Sequence, residues 1–120
     1  MQLITKEIEK KLENNLKVDD LKRKPHLKLF SPVGSATWLI SEYDKDTGIM
    51  FGLCDLGLGF VEFGSVSLDE IKALNLPYGL KIERDKFFEP KMTLSDYYEY
   101  IVKECAKRDM GGNLMMSGLV

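Results

Sequence analysis

Five carboxylates, Glu42, Asp55, Glu62, Glu83 and Asp85, stand in or at the ends of apolar, strand-like stretches, with Trp38 and Arg84 in the same pattern. A carboxylate among Trp, Ile, Phe and Leu must be paired, hydrogen-bonded or protonated, because burying a lone charge is costly. Several such groups on one surface can relay protons, hold a divalent cation through oxygen ligands, or meet a partner's basic groups. Arg84, Lys28, His26 and the Trp38 indole N–H are the candidate mates within the chain. Salt bridges and turn hydrogen bonds at strand ends are the plainer alternative.

Whether these groups act together depends on strand phase. Side chains alternate faces along a strand, so Trp38, Ile40 and Glu42 are expected on one face, and Ile49, Phe51, Leu53 and Asp55 on one face of the next strand. A turn centred between Gly57 and Leu58 sets Leu53 opposite Glu62 and Asp55 opposite Phe60, making Asp55 and Glu62 diagonal neighbours. Pairing Glu42 with Ile49 adds Glu42 to that face, and a one-residue slip sends it to the other. Parity along Glu83-Arg84-Asp85 puts the two acids on one side and Arg84 on the other, as the natural mate for the acidic rim.

The elements that must position these residues read clearly. Ile4, Ile8, Leu12 and Leu16, with Leu3 beside them, mark an amphipathic N-terminal helix with a narrow stripe, expected on the rim of the body, its last turn weakened by Asn14 and Asn15. Lys22, Arg23, Lys24 and Pro25 form a basic connection. Strands are predicted over Leu27–Ser31, Ala36–Tyr43, Ile49–Asp55, Phe60–Val66 and Leu80–Arg84, with a turn at Asp44–Gly48. Ser67-Leu68-Asp69-Glu70 is a capping box for a short helix burying Leu68, Ile71 and Leu74. Thr93 caps a last helix whose face is Leu94, Tyr97, Tyr98, Ile101, Val102 and Cys105, stopped by Gly111-Gly112. The expected fold is α+β: an antiparallel sheet of four to five strands with N-terminal, middle and C-terminal helices packed on it. It is one domain over 1–120, comprising helix and basic connection (1–24), sheet core (27–88), last helix (93–110) and apolar tail (111–120). The tail can dock on the body or bind a partner.

Other chemistry finds little support. His26 is the single histidine, without the companion ligands of a zinc site or the nucleophile turn of a Ser-His-Asp hydrolase. Cys54 and Cys105 lack C-x-x-C spacing and read as buried free thiols. Gly57-Leu58-Gly59 lacks the spacing and lysine of a phosphate-binding loop. No metal and no cofactor is called for. Lys22, Arg23, Lys24, His26 and Lys28 make a local basic cluster, and nucleic-acid contact through Lys22, Arg23, Lys24 and Lys28 is a secondary reading. The net charge of −2 gives no global field for nucleic acid or anionic lipid. No apolar run reaches the roughly 20 residues of a membrane span. Lys6, Glu7, Glu9, Lys10 and Lys11 interrupt any signal-like stretch, so the expected home is the cytoplasm.

Several motifs together resemble one family. They are Lys28-Leu29-Phe30-Ser31-Pro32, Ala36-Thr37-Trp38-Leu39 with Glu42, Phe51-Gly52-Leu53-Cys54-Asp55-Leu56-Gly57-Leu58-Gly59 with Glu62, Gly64-Ser65-Val66-Ser67-Leu68, and Gly79-Leu80 with Glu83-Arg84-Asp85 and Phe87 or Phe88. The family is a domain-of-unknown-function group of small bacterial and phage proteins. The resemblance spans Leu27 to Phe88 and leaves out the N-terminal helix and the Met-rich tail. It implies carriage on plasmids, integrative elements and phages, often near transfer or anti-restriction genes, and assigns no catalytic residue. Trp38, Glu42, Asp55, Glu62, Glu83, Arg84 and Asp85 are among the shared residues.

The leading expectation is therefore a non-enzymatic accessory protein that binds a host protein and inhibits a nuclease or another defence against foreign DNA. The alternatives are a carboxylate- or metal-dependent enzyme acting on a phosphate-containing substrate, and a nucleic-acid-binding module.

Overall fold

The computed structural model describes residues 1–107, with side chains as far as Glu104. Helix α1 (Lys6–Asn15) leads through a 3₁₀ turn at Asp20–Lys22 into strands β1 (Leu27–Phe30), β2 (Thr37–Asp44), β3 (Ile49–Asp55) and β4 (Glu62–Ser67). Helix α2 (Leu68–Ala73), a 3₁₀ turn at Pro77–Gly79, strand β5 (Glu83–Arg84) and helix α3 (Leu94–Lys107) follow. The strands form one antiparallel sheet in the order β4-β3-β2-β1-β5. The first four make a meander, and β5 returns to pair beside β1.

Local chemistry sets the element ends. The Thr5 hydroxyl accepts from the Ile8 N–H at the start of α1, and Glu7 and Glu9 face its positive end. Ser67 and Thr93 do the same for Glu70 and Asp96 at the starts of α2 and α3. In the β2–β3 turn, Asp44 accepts from the Asp46 N–H, and Gly48 takes the positive φ of 76° that closes the loop.

Each face of the sheet is covered separately. One, here the α1 face, packs Leu27, Leu29, Trp38, Ile40 and Met50 against Leu3, Ile4, Leu12, Leu68, Ile71 and Ile82. The other, the α3 face, packs Leu39 and Leu53 against Leu94, Tyr97 and Ile101. Leu12 is fully buried, so α1 belongs to the core and not to its rim; β2 is the strand beneath it. Leu3 and Ile4 lie before the helix, while Leu16 and Leu74, expected in the core, cap helix ends and are exposed. Val102 is also exposed, away from the buried stripe of α3. The Cys105 side chain, Gly111-Gly112 and the tail 113–120 lie outside the described residues.

A β-bulge governs the phase of β2. Ile40 pairs with Gly52, but Glu42 pairs with Phe51, so Ser41 is an extra residue on β2. From Glu42 onward every side chain changes face relative to simple alternation. The bulge is held from outside the sheet: the Asn15 amide donates to the Ser41 carbonyl (2.8 Å) and to the Lys24 carbonyl (2.9 Å). Asn15 therefore ends α1 as a buried clamp between α1, the basic connection and β2. Opposite the bulge, a Cβ on Gly52 would fall 1.8 Å from the Leu39 carbonyl oxygen, so only glycine fits.

Candidate functional site

The carboxylates singled out from the sequence do not converge. The β3–β4 register is Leu53↔Phe63 and Cys54↔Glu62, one residue away from the Leu53–Glu62 pairing that would have joined Asp55 and Glu62. Glu62 lies on the α1 face in line with Trp38 and Cys54, and Asp55 lies on the α3 face opposite Thr37. The bulge separates Glu42 from Trp38 and Ile40 and sets it beside Phe51 on the α3 face. Glu42 and Asp55 thus share a face but sit toward opposite ends of the sheet.

Trp38, Asp55, Arg84 and Asp85 have local structural tasks. Trp38 is a buried core side chain. Asp55, 1% exposed, accepts from the Gly57 N–H at 2.8 Å and so shapes the turn after β3. Asp85 accepts from the Phe87 N–H (2.9 Å) and stands 3.7 Å from the buried Lys28 ammonium, which also lies over the Phe88 ring. Parity separates Glu83 from Arg84 as expected: Glu83 aligns with Phe30 and Arg84 with Leu29. Arg84, however, does not neutralise the rim. Its guanidinium donates to the Gln2 carbonyl, tying β5 to the N-terminal segment. Glu62 is exposed at the sheet edge. Among the described residues no three His, Cys, Asp or Glu side chains come together as a metal-holding group.

The basic cluster is dispersed as well. Arg23 pairs with Asp20 (3.0 Å) and Glu42 (3.1 Å) and donates from Nε to the Val18 carbonyl. Lys28 is buried on the α3 face. Burial, and then Lys11 and Lys24, hold His26 below its ordinary value of 6.5 and favour its neutral form. Burial, and then Glu62, push the Cys54 thiol up, opposite to what a reactive thiolate needs.

What the fold does assemble is a groove of about 1200 Å³ at the hairpin end of the sheet. Glu9 and Glu13 come from α1, Asp20 and Arg23 from the basic connection, and Glu42, Asp44, Lys45 and Asp46 from β2 and its turn. Six carboxylates face two cations, a formal excess of four negative charges, and one of the cations, Arg23, is already paired with Asp20 and Glu42. Apolar surface lines the same space: Phe51 and Phe63 from the sheet, Leu16 and Leu21 from the chain after α1. Leu21 is 70% exposed. The electrostatic sign is felt by Tyr43 in the wall, whose hydroxyl is pushed up by burial and then by Glu9, Asp69 and Asp44. Arg23 organises the site: its side chain joins the connection to β2, and its carbonyl accepts from the Leu94 N–H at the start of α3 (2.9 Å). Of this groove, the sequence pointed to Glu42 as an acid of the rim and to Arg23 as part of a basic cluster. The rest is drawn from four stretches separated in sequence, although the acid-rich turn Asp44-Lys45-Asp46 was a visible signal.

Fold and groove together define a small α+β domain, an antiparallel sheet between helices with an acidic, partly apolar cleft open at one end. The chain belongs to the family described as "Protein of unknown function (DUF2958)", whose model matches residues 3–106. The match takes in α1 and nearly all of α3, well beyond the Leu27–Phe88 core of the resemblance. No curated protein and no solved structure matches the chain. Among the described residues no helix is long and apolar enough to cross a membrane.

Proposed function

We propose that this chain is a binding protein whose acidic groove engages a basic surface of a macromolecular partner. The carrying observation is the groove's charge, six carboxylates against two cations, combined with exposed apolar side chains in the same space. Charge of one sign speeds and orients encounter, and apolar contact supplies the affinity that a rim of acids lacks. A basic nucleic-acid-binding cleft of a host protein has the complementary chemistry. With the family's expected carriage on mobile elements, this favours occlusion of a nuclease or another component of defence against foreign DNA. The carboxylate-enzyme reading needs Asp55 and Glu62 on one surface, and they leave the sheet on opposite faces. The nucleic-acid reading needs Arg23 and Lys28 on an open basic patch, whereas Arg23 is paired with two acids and Lys28 is buried.

The test is affinity capture from nuclease-treated bacterial lysate, using the wild-type chain and a variant carrying Glu13→Gln, Asp44→Asn and Asp46→Asn. The expected result is a protein with a basic nucleic-acid-binding site, retained by the wild type, lost from the variant and released by moderate salt. Identical retention on both baits would refute the proposal.

A further inference from the structure

Strand β4 forms one edge of the sheet, and among the described residues no strand pairs with its outer side. Proteins protect such edges with charged side chains, above all lysine, with proline, bulges or a covering element, because the unpaired N–H and C=O groups template another strand. Beyond Glu62 at its first position, Glu62–Ser67 carries no charge and no proline, and its register with β3 is unbroken. A Cβ placed on Gly64 would meet nothing within 4 Å.

The two faces of this edge differ in chemistry. On the α3 face, Phe63 stands 43% exposed, stacked parallel to Phe51 and 4.8 Å from the Tyr98 ring. On the α1 face the edge carries Glu62, and the helix that directly continues the strand opens with exposed Asp69 and Glu70. Side chains of an added strand alternate between these faces. One set would lie beside the aromatic shelf and the other beside the acids.

We infer that the β4 edge takes an extended segment of the partner as a sixth strand, its residues alternating apolar and basic. The inference rests on the acidic-surface reading above and specifies how the partner is held: main-chain hydrogen bonds to β4 supply affinity, and the two faces supply specificity. Charge selects this occupant over a second copy of the chain, since two β4 edges brought together would oppose Glu62, Asp69 and Glu70 with their own kind.

The probe is a blocked heptapeptide of alternating Lys and Val, compared with a peptide of the same composition whose lysines and valines are segregated. Binding is followed by calorimetry at low salt, and by amide chemical shifts and hydrogen exchange of the protein. The alternating peptide is expected to bind more tightly and to slow exchange of amides within Glu62–Ser67. Glu62→Lys exchanges one attraction for one repulsion at an exposed position and should weaken that binding about tenfold without altering the fold. Equal binding of both peptides, with shifts in the groove and none in β4, would overturn the inference and leave the acidic-surface reading standing. Binding of neither peptide would sink both. A peptide-free dimer that protects β4 amides would overturn the inference in favour of self-pairing.

Discussion

Replacing Asn15 should test the whole account of strand phase. The Asn15 amide holds two main-chain carbonyls, Ser41 in the interior and Lys24 at its margin, and the residue is 5% exposed. Asn15→Ala leaves both acceptors without that donor. The buried one costs about 1–3 kcal/mol and the marginal one about 1, for a total of about 2–4 kcal/mol. At this chain length that corresponds to a melting temperature lower by roughly 8–16 °C. Asn15→Asp keeps the shape but replaces a donor with an anion facing two carbonyl oxygens. An uncompensated buried charge costs about 3–5 kcal/mol, so the near-isosteric variant should be the less stable of the two at pH 7. The sign with pH follows. The introduced carboxyl is favoured in its neutral form in the folded state, so its penalty relative to wild type is smallest near and below the unfolded value of about 3.9 and grows as pH rises above it. Urea unfolding of the three proteins at pH 7 and pH 4.5 measures this. The amide resonances of Glu42 and Phe51 report whether the bulge survives. Asn15→Asp as stable as Asn15→Ala at pH 7, or stable with the bulge lost, would refute the clamp.

Three further outcomes are expected. Gly52→Ala should destabilise by about 3 kcal/mol or more, since its Cβ would meet the Leu39 carbonyl, whereas Gly64→Ala on the open edge should stay within about 1 kcal/mol of wild type by chemical denaturation. Arg23→Met should cost about 1–3 kcal/mol by removing the ion pair with half-buried Glu42 and the hydrogen bond to the Val18 carbonyl; a double-mutant cycle with Glu42→Gln should recover a coupling of about 1 kcal/mol that shrinks with salt. His26, depressed below 6.5 in the fold, leaves stability unchanged above that pH; stability then declines as pH falls, because the unfolded chain takes up the proton first, and levels off once the folded His26 also titrates. His26→Gln should flatten the decline in thermal melts between pH 7 and pH 5; an unchanged slope would assign it to other groups.

Much of the fold was legible because it is written in local chemistry. The caps at Ser67 and Thr93, the turn ended by Gly48, the β3 span and the Leu94-Tyr97-Ile101 stripe depend on residues within a few positions of one another. The amphipathic start was legible as a helix, but its depth was not. A stripe four residues apart does not say that Leu12 reaches the sheet interior or that Asn15 finds two carbonyls there.

The sequence by itself determined the order of helices and strands, that the sheet is antiparallel, and that Glu83 and Arg84 part company across β5, although of the strand expected over Leu80–Arg84 only Glu83–Arg84 pairs. The tertiary structure decided which acids act together. A strand has a side-chain period of two, so one inserted residue at Ser41 and one step of register between β3 and β4 are enough to exchange faces. The register step follows from the turn that Asp55 and Gly57 shape, but the bulge has no local cause. The bulge is stabilised by an amide 26 residues earlier in the chain and by the space at Gly52 across the ladder, contacts that exist only once the sheet has formed. The groove follows from the same step, because it is the bulge that turns Glu42 toward Arg23.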